Sequence, residues 1–243
     1  MTFPAQKTVL VAGGAGGVGE GIVRALLLAT DVRVVVTSRS AARLALLEER
    51  LADAAGCGRL IGIVGNAGDP AGADAIGERI RADVGALQVA IPSLGGWWEG
   101  GPLLSAGLAT WEAVMSEMLT THFVFARRFV PELEREPGGW YLAIGGGAAF
   151  YPVPSSGIVS IAAAAQVMLT RTLAREHTAN GIRINELVVN GPVRTRDSEA
   201  ISAPDWITAD EVGGVVADLI RDGTTSWPRW REQGPLLIMD PVR

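Results

Sequence analysis

Lysine is almost missing from this chain of 243 residues: Lys7 is the only one, and arginine carries nearly all of the positive charge. Tyrosine is scarce too, with only Tyr141 and Tyr151, and Cys57 is the single cysteine. One cysteine excludes an internal disulfide framework and fits a reducing compartment, so a cytoplasmic location is expected. Lys and Arg number 21 against 26 Asp and Glu, a net charge of −5, with no basic cluster. No nucleic-acid surface is therefore expected. No apolar run of about 20 residues is unbroken, so no membrane span is expected either. The apolar N-terminal stretch is interrupted by Gly13, Gly14, Gly16, Gly17, Gly19 and Gly21 and carries Glu20 and Arg24, unlike a signal peptide. No metal is implied.

What is present is 48% hydrophobic residues and 31 glycines. Near-continuous apolar runs at Lys7–Ala12, Val32–Thr37, Leu60–Val64, Leu87–Ile91, Trp140–Ile144, Ile182–Val188 and Leu236–Met239 read as strands covered on both faces. Between them lie helical patterns at Gly19–Ala29, Ala41–Ala55, Ala71–Val84, Trp111–Val130, Ser156–His177 and Ala209–Ile220. This alternation predicts an α/β fold: a doubly wound parallel sheet of about seven strands with helices on both faces. No linker or repeat divides the chain, so residues 1–243 are expected to form a single domain. In the two long central helices, Trp111, Met115, Met118, His122, Phe125 and Phe129, and likewise Ile158, Ile161, Ala165, Met168 and Thr172, recur at helical spacing. Both stripes are expected to pack on the sheet. The small residues Ala162 to Ala165 would also let a second helix approach, which implies a homodimer or homotetramer through these helices.

The strongest local signal follows the first strand: Gly13-Gly14-Ala15-Gly16-Gly17-Val18-Gly19. Glycines at a strand-to-helix turn let the backbone approach a pyrophosphate, which the amide groups and dipole of the helix end attract. The spacing fits G-x-x-x-G-x-G through Gly13, Gly17 and Gly19, and two other registers equally. NAD sites usually place an acid about 20 residues later to hold the ribose hydroxyls. Here the second strand ends Thr37-Ser38-Arg39-Ser40. Arg39 suits a 2′-phosphate and Ser38 can donate to it, so NADP(H) is expected over NAD(H).

Taken together these features resemble the short-chain dehydrogenase/reductase family, of compact Rossmann type, from about Lys7 to Asp240. The glycine loop is similar to that family's T-G-x-x-x-G-x-G, with Ala12 for Thr. Gly181-Ile182-Arg183-Ile184-Asn185 and Asn190-Gly191-Pro192-Val193-Arg194-Thr195 resemble its G-I-R-V-N and P-G-x-V-x-T. The resemblance implies that Gly13, Gly17, Val18, Gly19, Ser38, Arg39, Gly95, Val193 and Thr195 line the cofactor. Asn66 would stand in for an adenine-contacting Asp, whose place Gly65 takes.

The same resemblance implies four catalytic positions, for Asn, Ser, Tyr and Lys. They hold Met118, Gly146, Val159 and Ala163, and the family's N-N-A-G has become Pro92-Ser93-Leu94-Gly95. No Tyr-x-x-x-Lys can be written anywhere after Lys7. Tyr151, in the stretch after the fifth strand, is the remaining candidate acid or base. A pocket of Trp97, Trp98, Met118, Gly146, Tyr151 and Val159 would take a small apolar or aromatic molecule. Three readings stay open: an oxidoreductase with an unorthodox proton route, a non-redox cyclase, dehydratase or isomerase, and a cofactor-binding pseudoenzyme or partner subunit.

Overall fold

The computed structural model describes residues 6–56 and 58–242; Cys57 lies outside them. The strands are β1 (Thr8–Ala12), β2 (Arg33–Ser38), β3 (Leu60–Val64), β4 (Val89–Pro92), β5 (Trp140–Gly146), β6 (Arg183–Val189), β7 (Val193–Arg194), β8 (Ile207–Thr208), β9 (Trp230–Gln233) and β10 (Leu236–Met239). The helices are α1 (Gly17–Ala29), α2 (Ala41–Arg50), α3 (Ala52–Ala55), α4 (Pro70–Asp83), α5 (Leu108–Met115), α6 (Thr121–Leu133), α7 (Gly157–Glu176) and α8 (Ala209–Asp222).

Eight strands form one sheet in the order β3-β2-β1-β4-β5-β6-β10-β9, parallel throughout except for the edge pair β10/β9. The expected doubly wound α/β fold is therefore present, with one strand more than the seven expected. Trp230–Gln233 escapes a reading by apolar runs because its Arg, Glu and Gln are exposed on an edge strand. The strand order reverses between β1 and β4, and at such a switch point the carboxyl ends of the strands leave a crevice. The core fills both faces. On one side Val9, Val11 and Val36 meet α1 and α8; on the other Leu10, Val35 and Ala90 meet α4 and α6, where Phe125 and Phe129 stack at 4.6 Å. Gly21 and Gly213 set the α1–α8 distance, since a Cβ on Gly21 would collide with the backbone of Ala209, the first residue of α8, and one on Gly213 with the Gly21 carbonyl.

Two helical expectations need correction. The stretch Trp111–Val130 is not one regular helix: a π-turn at Ser116–Thr120 separates α5 from α6, so the side-chain face rotates there. In α7 the stripe Ile161, Ala165, Met168 and Thr172 does not face the sheet. Ile158, Val159, Ala162, Ala163, Gln166, Val167 and Thr170 are buried instead, and Ile161 and Met168 are exposed. The alanine-rich sequence made both faces look alike. Among the described residues α7 is also the one helix long and apolar enough to cross a membrane, by length and composition, and it packs against β5 and β6.

Candidate nucleotide and substrate site

The crevice at the switch point is floored by the glycine turn. Gly13 has φ +77°, a conformation glycine adopts without a Cβ penalty, and its carbonyl accepts from Gly16 N at 2.9 Å. A Cβ at Gly13 would strike the Ser93 carbonyl, and one at Gly19 would strike the Gly13 carbonyl. At Gly17 a Cβ would stand 2.7 Å from that of Thr195, whose side chain closes over the turn. Gly14 meets the Val36 side chain first, and Gly16 meets nothing nearer than 3.2 Å. Close backbone approach thus falls on Gly13 and Gly19, the two ends of the G-x-x-x-G-x-G register, while Gly14 and Gly17 face side chains first. Gly16 caps α1 without a side-chain hydrogen bond, so the first-turn amides of Gly17, Val18 and Gly19 present their donors and the helix dipole outward. This arrangement fits a dinucleotide's phosphates.

Ser38 and Arg39 stand at the carboxyl end of β2, beside this turn. Ser38 Oγ accepts from Ser40 N at 3.2 Å, and its carbonyl accepts from Gly65 N at 2.9 Å. The Arg39 guanidinium is 73% exposed and lies 3.9 Å from Glu117 on the π-turn. Asn66 is exposed and ties its own turn, with Oδ1 accepting from Gly68 N at 3.1 Å. Gly95 (φ +99°) lies against the Met118 backbone; Val193 begins β7, and Thr195, just after that strand, lies over Gly17.

The Gly95–Gly101 loop and α5 enclose a cleft of about 430 Å³ that includes Trp97, Trp98 and Met118. The expected pocket is only partly assembled there. Gly146, Tyr151 and Val159 do not line the cleft. Val159 and Ala163 are buried in α7, Gly146 faces open space at the end of β5, and Tyr151 is 61% exposed. Arg231 on the edge strand β9, whose charge Tyr151 senses, is itself held by Asp240 at 2.6 Å. Lys7 precedes β1 and so lies at the amino edge of the sheet, opposite the crevice.

Three buried polar groups carry further consequences: His122, expected on a packed helical face, and two acids, Glu186 and Glu20, that the sequence did not single out as buried. His122 is wholly buried under the loop after β4; its Nε2 faces the Leu94 carbonyl at 3.3 Å, its Nδ1 has no partner, and burial pushes its pKa down to about 4. Glu186 on β6 is buried between Thr170 (2.8 Å) and Gln166 (3.2 Å), in room left by Gly145, and burial pushes its carboxyl up to about 7. Glu20 on α1 receives Arg24 at 2.9 Å, Arg50 at 2.8 Å and Arg196 at 2.6 Å, and Arg24 also pairs with Asp210. A charge inside the otherwise apolar runs ELVV and GVGEGIV was the available signal for the two acids.

Comparison with known proteins agrees with the fold. Mouse Dehydrogenase/reductase SDR family member 4 is 31% identical over 101 residues, which is 42% of this chain and 36% of that protein. The alignment thus spans about a third of that curated relative. A short-chain type dehydrogenase/reductase from Mycobacterium ulcerans superposes with a TM-score of 0.84 at 21% identity, covering 99% of this chain and 90% of the other. The Pseudomonas aeruginosa RhlG/NADP active-site complex gives 0.81 at 24% identity, covering 96% and 94%. The family model for short chain dehydrogenases matches residues 7–205. That span holds the glycine turn, the crevice and the tryptophan loop, and the chain belongs to the short-chain dehydrogenase family.

Proposed function

We propose that the chain binds NADP(H) in the switch-point crevice and serves hydride transfer with a small apolar or aromatic molecule, without the family's Ser–Tyr–Lys relay. One observation carries the cofactor reading: the uncapped start of α1 behind the Gly13 turn, with Ser38 and Arg39 at the tip of the neighbouring strand. A planar guanidinium pairs with a 2′-phosphate, and the Thr37–Ser40 tip of β2 carries no acid to hold ribose hydroxyls in its place; the carboxylate nearest Arg39 in the ion pairs is Glu117, 3.9 Å away on the π-turn. A structural neighbour is described with NADP in its active site, which supports the same choice.

The missing relay rests on side-chain chemistry. Met118, Gly146, Val159 and Ala163 have no proton to exchange, and the sole lysine lies at the opposite sheet edge. Hydride transfer depends chiefly on holding cofactor and substrate in line, and with Tyr151 outside the cleft lining the proton comes from water. We also read the exposed apolar residues Phe123, Ile161 and Met168 on α6 and α7 as the contact of a homo-oligomer. Sedimentation at the mass of one chain would contradict that part.

Titration of NADPH and NADH, followed by tryptophan fluorescence, tests the cofactor reading. NADPH is expected to bind about tenfold tighter, and Arg39→Gln to remove that margin while leaving NADH unchanged. Equal binding of the two nucleotides by the unaltered protein would refute it.

A further inference from the structure

The tryptophan cleft has one charged group on its wall, the carboxylate of Glu117; the rest is Trp97, Trp98, Val114, Met118 and small residues. Among the described residues no arginine, histidine or lysine lines it. Glu117 sits on the π-turn between α5 and α6, the kind of widened turn that re-aims side chains at functional sites. Its Oε1 is 3.9 Å from where a Gly96 Cβ would stand and 3.9 Å from the Arg39 guanidinium. One carboxylate therefore faces both the cleft and the tip of β2.

We propose that this cleft binds a small molecule joining an aromatic or apolar body to a protonated amine. Glu117 receives the ammonium, and the indoles of Trp97 and Trp98 hold the body. Indole faces carry negative charge and attract cations, so carboxylate and rings favour the same ligand. A carboxylate ligand would be repelled by Glu117, and a neutral one would gain nothing from it. Arg39 holds the place of the ammonium loosely, because both partners are solvated and a pair of this kind is weak.

The shared carboxylate also couples the two sites. A 2′-phosphate that engages Arg39 takes away the partner of Glu117, and an ammonium on Glu117 releases Arg39 to the phosphate; linkage makes the effect equal in both directions. This coupling, unlike the amine preference itself, rests on the NADP(H) reading above.

Calorimetric titration with tryptamine, its neutral alcohol tryptophol and indole-3-acetate, without nucleotide, separates the contributions. Tryptamine is expected to bind about tenfold tighter than tryptophol, with indole-3-acetate weakest, and Glu117→Gln to narrow the first ratio to about twofold. Trp97→Ala should weaken all three while keeping their order. Equal affinity for amine and alcohol, a preference that survives Glu117→Gln, or no binding of any of the three overturns the proposal. Saturation with adenosine 2′,5′-bisphosphate should tighten tryptamine about two- to fivefold, and adenosine 5′-monophosphate should not. If the bisphosphate binds without that effect, the coupling is refuted. If it does not bind, the NADP(H) reading fails and the amine result stands.

Discussion

Replacing Glu186 by Gln removes a buried charge almost without changing shape, and the effect should depend on pH in a defined way. The glutamine carbonyl can accept from Gln166 and its amide can donate to the Thr170 hydroxyl, so both hydrogen bonds survive. Burial raises the Glu186 carboxyl from 4.5 to about 7, against the pull of Thr170, Gln166 and Arg171. Below pH 4.5 the carboxyl is protonated in both folded and unfolded chains and costs nothing. Between pH 4.5 and 7 the unfolded chain has released the proton and the folded one has not, so stability falls as pH rises. At about 1.4 kcal/mol for each pH unit, the total is about 3 kcal/mol. Chemical denaturation of both proteins at pH 4.5, 6 and 8 should show little difference at the first and a gain of about 3 kcal/mol for the glutamine variant at the last. A difference that is the same at every pH, or a loss at pH 8, would refute the account of a raised carboxyl.

His122 is expected to act in the opposite sense. The folded ring stays neutral down to about pH 4 while the unfolded one protonates at 6.5, so wild-type stability falls as pH drops through that window. His122→Gln should lose this acid slope, and the wild-type profile should be nearly flat where the windows of His122 and Glu186 overlap; denaturation midpoints at pH 5 and 6.5 check both. The neighbouring glycines of α8 should respond with opposite signs. Gly213→Ala drives a Cβ into the Gly21 carbonyl and should cost about 1–3 kcal/mol, whereas Gly214→Ala meets open space and should gain about 1 kcal/mol of helix stability by thermal melting.

Most of the sheet was legible because parallel strands covered on both faces are written as apolar runs: Leu60–Val64 and Leu236–Met239 agree residue for residue. The edge strand β9 was not, since one side of it is open to solvent and Trp230-Arg231-Glu232-Gln233 has no apolar run. The π-turn was invisible because residue spacing records a period, and one widened turn shifts the period without changing composition. In α7 alanine fits either a core or a surface, so only tertiary packing distinguishes Ala162 from Ala164. At the site, local chemistry was readable: the glycine turn, Ser38, Arg39 and the tryptophan loop all lie at the carboxyl edge. What could not be read was adjacency across the chain. Nothing in the sequence places Glu117 beside Arg39, or leaves Tyr151 outside the lining of the cleft.

The Glu20 carboxylate has a mechanical consequence. Its three arginines come from α1, from α2 and from the segment just after Thr195, and Thr195 is the residue lying over Gly17. The wall and the floor of the crevice are thus fastened to one buried pin. A lysine would meet that pin at a single point, whereas the arginine fork of Arg50 grips it with two nitrogens. In a chain with one lysine, three arginines thus hold the wall and the floor of this crevice in register.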